Sequence, residues 1–391
     1  MSLYSAILKQ MRIHPTSLAK LQTITQVSLP TLRKAVQDLT DMQWIKVVGQ
    51  AEANGGRPAK LFGMNDTVHV VIGVHMQLPG LRLIVTDLTG NILDEHVISS
   101  RTIPEPTQVI QAIIDYVVDV QSRFSNRNVL GLGLAAPGFT DPNTGDILTI
   151  GRVKGWENLP ICRRLSAALN LPVKIANDVD CMAFAEFQFS GKSFEHNLAY
   201  LGFDEGIKVS LFLNGELYKG SFGNAGLIIS RFLHLEDQPH TQDTIHRLLT
   251  MSGVNHIFEE LLSTLDEATS AIYAPFLEVN NHRRFGMILQ YANDAQFPIC
   301  GEIVSMLISV LSTAITNVFY FVQPDTMVIG GALGDMPPTV FQRLREAVLA
   351  QLPMLFANRA IIEQASLSSY NSAALGATEH FLEDYLLADE F

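Results

Sequence analysis

The sequence of 391 residues has few of the residue types that form cross-links or metal sites. Its three cysteines, Cys162, Cys181 and Cys300, are widely spaced, which excludes a disulfide framework and a paired-cysteine zinc motif. We expect all three to be buried as small apolar side chains. No uninterrupted apolar run reaches the roughly 18–20 residues that a membrane span requires, and the N-terminus lacks the apolar core of a signal peptide. These absences predict a cytoplasmic protein that has no membrane partner.

The composition is that of a well-packed protein, with 47% hydrophobic and 17% charged residues. The length predicts two or three domains. Charge is distributed unevenly, because residues 1–62 contain eight Lys or Arg and only three acids, a formal charge of +5. The whole chain carries −12, so the remainder carries −17. A phosphate backbone attracts the first segment and repels the rest, which predicts a DNA-binding segment joined to an acidic body.

Residues 1–66 are predicted to form a winged helix-turn-helix domain. Apolar residues recur at helical spacing; Thr16 and Ser17 are candidate N-caps for the second helix, and Ser28 is a candidate N-cap for the third. Gly55-Gly56 would form the tip of a wing between two strands. The predicted elements are helices at about 3–11, 17–21 and 28–42, and strands at 44–48 and 58–62.

The third predicted helix has the pattern of a recognition helix. Its apolar residues fall on one face, which we expect to pack against the other two helices. Polar and cationic residues occupy the other faces, where they can contact bases and phosphates in a major groove. An arginine of the wing can reach a minor groove or a phosphate. The predicted DNA contacts are Thr31, Arg33, Lys34, Gln37 and Arg57. The alternative is a three-helix structural cap whose charges are only solvated.

The acidic body is predicted to be an α/β structure with two similar halves. Three strands, a helix and a fourth strand in residues 68–135 form the opening unit of the actin-like, or ribonuclease-H-like, fold. A second β-meander follows at 197–218, before a mainly helical stretch. We predict a first actin-like domain at 67–180, joined by a C-terminal helix in 372–391. The second domain is predicted at 181–371 and contains dimerisation helices.

Eight short motifs, in order along nearly the whole chain, resemble those of the ROK family of repressors and sugar kinases. Single glycine pairs at strand ends are common, but eight in the family order are specific. The motifs are Gly55–Pro58, Gly131–Gly138, Gly155–Pro160, Asn177-Asp178, Asn214–Gly220, Gly223–Gly226, Gly330-Gly331 and Leu375–Ala377.

The resemblance implies a sugar-like ligand in the cleft between the two actin-like domains. Asp178 stands where the family's kinases have their catalytic base, and Asn177 where a ligand of a sugar hydroxyl is expected. Asn158 and the loop at Gly138 are expected nearby. Asn177 and Asp178 have a purely structural alternative, since they can also cap the helix that follows them. Both roles are compatible.

The phosphate-binding side departs from the family pattern. Family kinases carry an acidic residue and a Gly-Gly-Thr turn after the first strand, whereas this chain has His75 to Gly80, including Pro79, which lacks the N–H of a phosphate cradle. The second phosphate loop, 206–210, keeps one glycine and offers Lys208, which is either an anion ligand or simply solvated. We therefore expect Asp178 to be a vestigial base, and no catalytic residue.

The sugar and zinc motifs also depart from the family pattern. Leu227 and Ser230 replace a Glu and a His that help to hold a hexose, and the cysteine-rich zinc motif is absent. His234, His240 and His246 occur nearby, but we interpret them as surface or capping residues. The resemblance thus implies no zinc and no other cofactor.

Three functions remain open. The first is a repressor that binds an operator as a homodimer or tetramer and responds to a sugar or sugar-like effector. The second is an active sugar kinase with an accessory DNA-binding domain. The third is a DNA-binding regulator whose effector is a protein partner.

Overall fold

The computed structural model describes residues 2–51, 58–100, 102–151, 153–190, 197–229, 233 and 241–388. The chain forms two compact units. The first unit comprises residues 1–189 and 371–391, and the second comprises residues 190–370.

The N-terminal part of the first unit is a helix-turn-helix followed by two strands. Each helix begins after a serine whose hydroxyl accepts a backbone N–H three residues later, as at Ser28 and Thr31. The turn between the second and third helices passes through Gln26, which adopts a left-handed conformation (φ 55°). Thr16 forms an isolated antiparallel β-bridge with Phe62 of the second strand. The elements are α1 (Leu3–Ile13), α2 (Leu18–Thr25), α3 (Leu29–Asp41), β1 (Ile45–Gln50) and β2 (Lys60–Met64).

The first unit continues as a five-stranded mixed sheet covered by helices. Its strand order is β5-β4-β3-β6-β9, with β3, β6 and β9 parallel and the other neighbours antiparallel. This is the predicted arrangement of three strands, a helix and a fourth strand. The elements are β3 (His69–His75), β4 (Leu81–Asp87), β5 (Ile92–Ile98), α4 (Pro106–Arg123), β6 (Asn128–Ala136), β7 (Phe139–Asp141), β8 (Asp146–Thr149), α5 (Ile161–Leu169), β9 (Val173–Asn177) and α6 (Asp178–Phe189).

The second unit has a five-stranded sheet of its own, in the order β12-β11-β10-β13-β14. A helical layer packs on it, and the longest helix, α12, supplies much of the core. The elements are β10 (Leu198–Phe203), β11 (Ile207–Leu213), β12 (Glu216–Leu217), α7 (Gln242–Leu248), α8 (Met251–Ser263), α9 (Glu267–Ala271), α10 (Ala274–Leu277), α11 (Asn281–Gln290), α12 (Pro298–Phe321), β13 (Thr326–Gly331), α13 (Pro338–Gln351), α14 (Met354–Ala357) and β14 (Ile361–Gln364).

Helix α12 bears on the expectation that the chain contains no membrane-spanning segment. Among the described residues it is the one helix that is long and apolar enough to cross a membrane, with a mean hydropathy of 1.8 over an 18-residue window. The sequence prediction overlooked it because isolated polar residues interrupt the run. Since 61% of that window is buried inside the protein, the helix also fits the pattern of a core helix.

The last helix, α15 (Ser372–Leu387), joins the C-terminus to the first unit. It packs on α6, β3, β6 and α1. Close approach requires glycine at Gly376, where a Cβ atom would collide with the Cys181 carbonyl of α6. The predicted boundary at residue 180 is therefore wrong, because α6 belongs with α15 in the first unit and the division follows Phe189.

The winged helix-turn-helix was predicted as a separate domain at residues 1–66, but it shares its core with the rest of the first unit. Its core contains Ile7, Leu32 and Trp44, and it is continuous with Leu130 of β6 and Phe381 of α15. The burial of apolar side chains across this junction fixes the domain on the sheet and on α15. The three cysteines are buried, as predicted.

Candidate DNA interface and effector site

Helix α3 has one buried face and one exposed face, as a recognition helix requires. Leu32, Ala35, Val36 and Leu39 are buried in the core of the helix-turn-helix. This apolar spacing turns the intervening positions outward. Thr31, Arg33, Lys34 and Gln37 are all exposed.

These four side chains differ in how freely they can contact DNA. The Thr31 hydroxyl lies 2.7 Å from the Ser28 hydroxyl, and Gln37 donates a 2.7 Å hydrogen bond to Asp41. In the described part of the chain, Arg33 and Lys34 form neither a hydrogen bond nor an ion pair through their side chains. Arg33 and Lys34 are therefore the two cations of α3 that are available for phosphates or bases. Arg57 and the Gly55-Gly56 tip lie outside the described residues.

The formal charge of +5 overstates the cationic surface available to DNA. Lys9 pairs with Glu383 at 3.5 Å, Arg12 pairs with Glu379, and Lys46 pairs with Asp66. Since each of these cations faces a carboxylate of the same unit, their charges are largely compensated. The exposed cations in the described part of this segment that lack such a partner are Lys20, Arg33, Lys34 and Lys60.

The predicted effector residues Asn177 and Gly138 come together where two parallel strands end. Asn177 is the last residue of β9 and is the register partner of Ala136, the last residue of β6. Its side-chain amide donates to the Gly138 carbonyl at 3.2 Å. Gly138 has a φ of 80°, and a Cβ atom there would meet the Thr149 carbonyl. Ligands of open α/β sheets bind at this carboxyl edge.

Asn177 and Asp178 also form the helix cap that the sequence offered as their structural role. The backbone N–H of Val179 donates to the Asn177 side-chain oxygen at 3.0 Å and to the Asp178 carboxylate at 2.8 Å. Both side chains are therefore held at the N-terminus of α6. The cap fixes their orientation and leaves one amide hydrogen of Asn177 beyond its bond to Gly138.

Asn158 approaches the same edge through the β7–β8 hairpin. Its backbone N–H donates to the Leu148 carbonyl of β8 at 3.1 Å. The side chain is exposed, and the residue adopts a left-handed conformation with a φ of 50°. The loop is anchored by Trp156, which is buried and donates to the Pro104 carbonyl. The structure thus places Asn158 on an element adjacent to Gly138.

Two of the backbone amides in the segment after β3 are already used inside the protein. The N–H of Met76 donates to the Ala135 carbonyl and that of Gly80 to the Gln77 carbonyl, at 2.9 and 2.8 Å. Pro79 contributes no N–H. His75 is buried at the end of β3, paired in register with Arg82 of β4. Burial, together with the Arg82 charge, lowers the pKa of His75 to about 3, so its imidazole is neutral.

The buried His75 should make the protein less stable in mild acid. Its pKa of about 3 lies below the value of about 6.5 in an unfolded chain, so the unfolded state binds the proton first as pH falls. The free energy of unfolding is therefore unaffected by His75 above pH 6.5 and decreases progressively as the pH falls below 6.5. Between pH 7.5 and 5.5, we expect His75 to account for a loss of about 1.4 kcal/mol in the free energy of unfolding.

Urea unfolding at the two pH values tests this contribution. His75→Gln should lose less free energy over the interval than the wild type, whereas His246→Gln, at an exposed position on α7, should follow the wild type. An unchanged pH dependence in His75→Gln would show that another group causes the loss.

In the second unit, Lys208 is not solvated, which was one of the two roles that the sequence left open for it. It is only 4% exposed, within β11, and its backbone pairs with Leu227. The strand position carries the side chain into the protein, which the sequence did not show. Leu227 itself is partly exposed, and Ser230 lies outside the described residues.

The described residues bring together no group of three or more His, Cys, Asp or Glu side chains that could hold a metal ion. His246 is exposed, and His234 and His240 lie outside the described residues. The absence of zinc stays a prediction.

Sequence reasoning missed a polar contact between α1 and α15. The Ser5 hydroxyl donates to the Leu386 carbonyl at 2.6 Å, Lys9 pairs with Glu383, and Arg12 pairs with Glu379. The pairing is antiparallel, and Arg12 and Glu379 are both buried. The only signal was matched spacing, with cations three apart on one helix and acids four apart on the other. This spacing predicts ion pairs only when the two helices are known to pack against each other.

The fold defines a class of protein. A winged helix-turn-helix is fixed on a first unit of actin-like topology, and a second unit with a five-stranded sheet follows along the chain. Residues 71–228 match the ROK family, so the chain contains a ROK family domain. The xylose repressor of Bacillus spizizenii is 22% identical over 380 residues, which cover 94% of this chain and 92% of that protein. A β-glucoside kinase of Listeria innocua is 25% identical over 264 residues, which cover 66% of this chain and 81% of that protein.

A solved structure supports the fold. A ROK family transcriptional regulator, a homologue of the E. coli MLC protein, superposes with a TM-score of 0.79 at 17% identity. The match covers 99% of this chain and 97% of that one. The predicted fold class, a winged helix-turn-helix joined to an actin-like body, is confirmed.

Proposed function

We propose that this protein is a DNA-binding transcriptional repressor that responds to a sugar. The observation that carries the proposal is the exposed face of α3, on which Arg33 and Lys34 lack partners inside the described chain. A relative that matches nearly the full length is named a xylose repressor, whereas the β-glucoside kinase matches two thirds of this chain. We place the protein in the cytoplasm, where operator DNA is accessible.

We propose that it acts as a homodimer on a pseudo-palindromic operator. One α3 helix covers a few base pairs of a single major groove, so two chains are needed to read paired half-sites one helical turn apart. The side chains assigned to DNA are Thr31, Arg33, Lys34, Gln37 and Arg57.

We assign the effector to the carboxyl edge of β6 and β9, at Asn177, Asp178, Asn158 and Gly138. The effector is sugar-like, because amide and carboxylate groups held in fixed orientation are suited to hydroxyl groups. D-Xylose is the first candidate effector, since the relative from Bacillus spizizenii is named a xylose repressor. The sugar releases DNA only if its affinity differs between the DNA-bound and free conformations.

Replacing Asp178 with alanine should abolish the sugar response and leave the affinity for DNA without sugar largely unchanged. The variant removes a carboxylate from this edge, and Asn177 still accepts the Val179 N–H. The measurement is operator binding by fluorescence anisotropy, titrated with D-xylose and a panel of pentoses, hexoses and sugar phosphates.

Asp266→Ala is the matched control, because Asp266 caps α9 through the Thr269 N–H but lies in the second unit. Both variants lose a helix-capping carboxylate, which costs roughly 1 kcal/mol. Only Asp178→Ala should lose the response. A full response in Asp178→Ala would place the effector elsewhere, and no response of the wild type to any sugar would favour a protein partner.

The second candidate function is sugar phosphorylation, which the similarity to a β-glucoside kinase supports. We expect no appreciable turnover of ATP, because phosphoryl transfer relies on positioned donors around the phosphates. Here the Met76 and Gly80 amides are used inside the protein. A coupled assay over hexoses, pentoses and β-glucosides measures the rate. Turnover that disappears in Asp178→Asn would establish the kinase and overturn the assignment of a vestigial base.

A further inference from the structure

The second unit carries an exposed apolar surface that the effector site does not explain. It is formed by the end of α12, by α14 and by the start of β14. Tyr320 and Phe356 join the first two of these elements, with ring centroids 6.0 Å apart. We call this surface the α12–α14 patch. Its large exposed side chains, with their exposed fractions, are Phe321 (88%), Met354 (79%), Leu355 (62%), Tyr320 (51%) and Ile361 (49%).

The patch lies at one end of the second unit's sheet, where β13 and β14 begin. Strands β13 and β14 are parallel, and Thr326 at the start of β13 pairs with Ile361 at the start of β14. The patch is therefore at the amino ends of these strands, whereas ligands of such sheets bind at the carboxyl ends. A contact with another protein surface accounts for its position better than a small-molecule site.

Strand β14 adds an open edge to the patch. It is the last strand in the order of its sheet, so one of its edges has no strand partner within the described residues. Exposed edges that carry apolar side chains are normally covered or interrupted by charge. Here Ile361 begins the strand and is half exposed.

We propose that the α12–α14 patch is the surface through which two copies of this chain form a dimer. The five side chains expose roughly 600 Å² in total, against about 800 Å² per partner in a standard interface, so the patch supplies most of the required area. A two-fold contact places a surface against itself. The exposed rim residues Arg359 and Asp325 carry opposite charges, so the patch can face its own copy without a conflict of like charges.

One step rests on the proposed function: a repressor that reads paired half-sites needs two chains. All residues of the patch belong to the second unit. The test of the patch can therefore be separated from the test of DNA binding.

The experiment compares the full-length protein with the double variant Phe321→Glu, Met354→Glu. The wild type should be dimeric by light scattering coupled to size exclusion and by sedimentation at micromolar concentration. Two buried charges in an apolar contact should weaken dimerisation by roughly 100-fold or more and give a monomer. Because both positions are exposed in the single chain, circular dichroism should report an intact fold.

The control is Ile272→Glu, Leu277→Glu, which adds the same charge at two other exposed apolar positions, which are 44% and 49% exposed. These positions lie beside α9 and at the end of α10, outside the patch, so the control should remain a dimer. A wild type that is monomeric throughout, or a dimer that persists in Phe321→Glu, Met354→Glu, overturns the proposal.

Operator binding separates the two hypotheses. A wild type that binds operator while the patch variant remains a dimer means that the surface is wrong and the function stands. A patch variant that becomes monomeric, with no operator binding by either protein, means that the surface is right and the function fails.

Discussion

Replacing Arg12 with alanine should lower the free energy of unfolding by about 3–5 kcal/mol, because it leaves the Glu379 carboxylate buried without its cation. Both side chains are nearly inaccessible, at 9% and 3% exposure. Burial lowers the pKa of Arg12 to about 10, partly offset by Glu383, so the guanidinium stays charged at neutral pH. Urea unfolding at pH 7.5, followed by circular dichroism, measures the loss.

Two further variants identify the cause of that loss. Lys9→Ala removes an exposed pair of the same helix interface and should cost no more than about 1 kcal/mol. The double variant Arg12→Met, Glu379→Leu removes both buried charges and should be clearly more stable than Arg12→Ala. If the double variant is as unstable as the single one, packing and not the uncompensated charge explains the effect.

The double variant Arg33→Ala, Lys34→Ala should weaken operator binding by roughly 1–3 kcal/mol, or more if both side chains contact bases. These two cations lie on the exposed face of α3 and have no partner in the described chain, so their removal leaves the fold intact. If both contact phosphates, the slope of log affinity against log salt should fall by about 0.9 for each lost contact. Fluorescence anisotropy at several salt concentrations measures both quantities.

Lys9→Ala is the control for charge alone, because Lys9 belongs to the same cationic segment but pairs with Glu383. It should leave operator affinity nearly unchanged. An affinity of Arg33→Ala, Lys34→Ala equal to that of the wild type, with circular dichroism unchanged, would contradict the assignment of α3 as the recognition helix.

Most elements could be predicted from the sequence because their signals are local. Ser28 caps α3, and Leu32, Val36 and Leu39 recur at helical spacing, so the helix and its buried face follow from a few neighbouring residues. The helix ends were less certain: α2 continues to Thr25, four residues beyond the prediction, because its last turn is polar except for the exposed Ile24. The helix cap formed by Asn177 and Asp178 was also visible as a local pattern.

The sequence by itself determined helix α3 with its exposed polar face, the two sheets, and Asn177 at the end of a strand near Gly138, since each depends on spacing or on motifs within a short stretch. Only the tertiary structure decided where the first unit ends, that Arg12 is a buried partner of Glu379, and that Lys208 is buried. The physical reason is distance along the chain. The contacts of α15 with α1 join the two ends of the protein, and no local pattern specifies which helices will pack together. The charges near the N-terminus therefore looked available to DNA until the structure showed that some of them hold the domain in place.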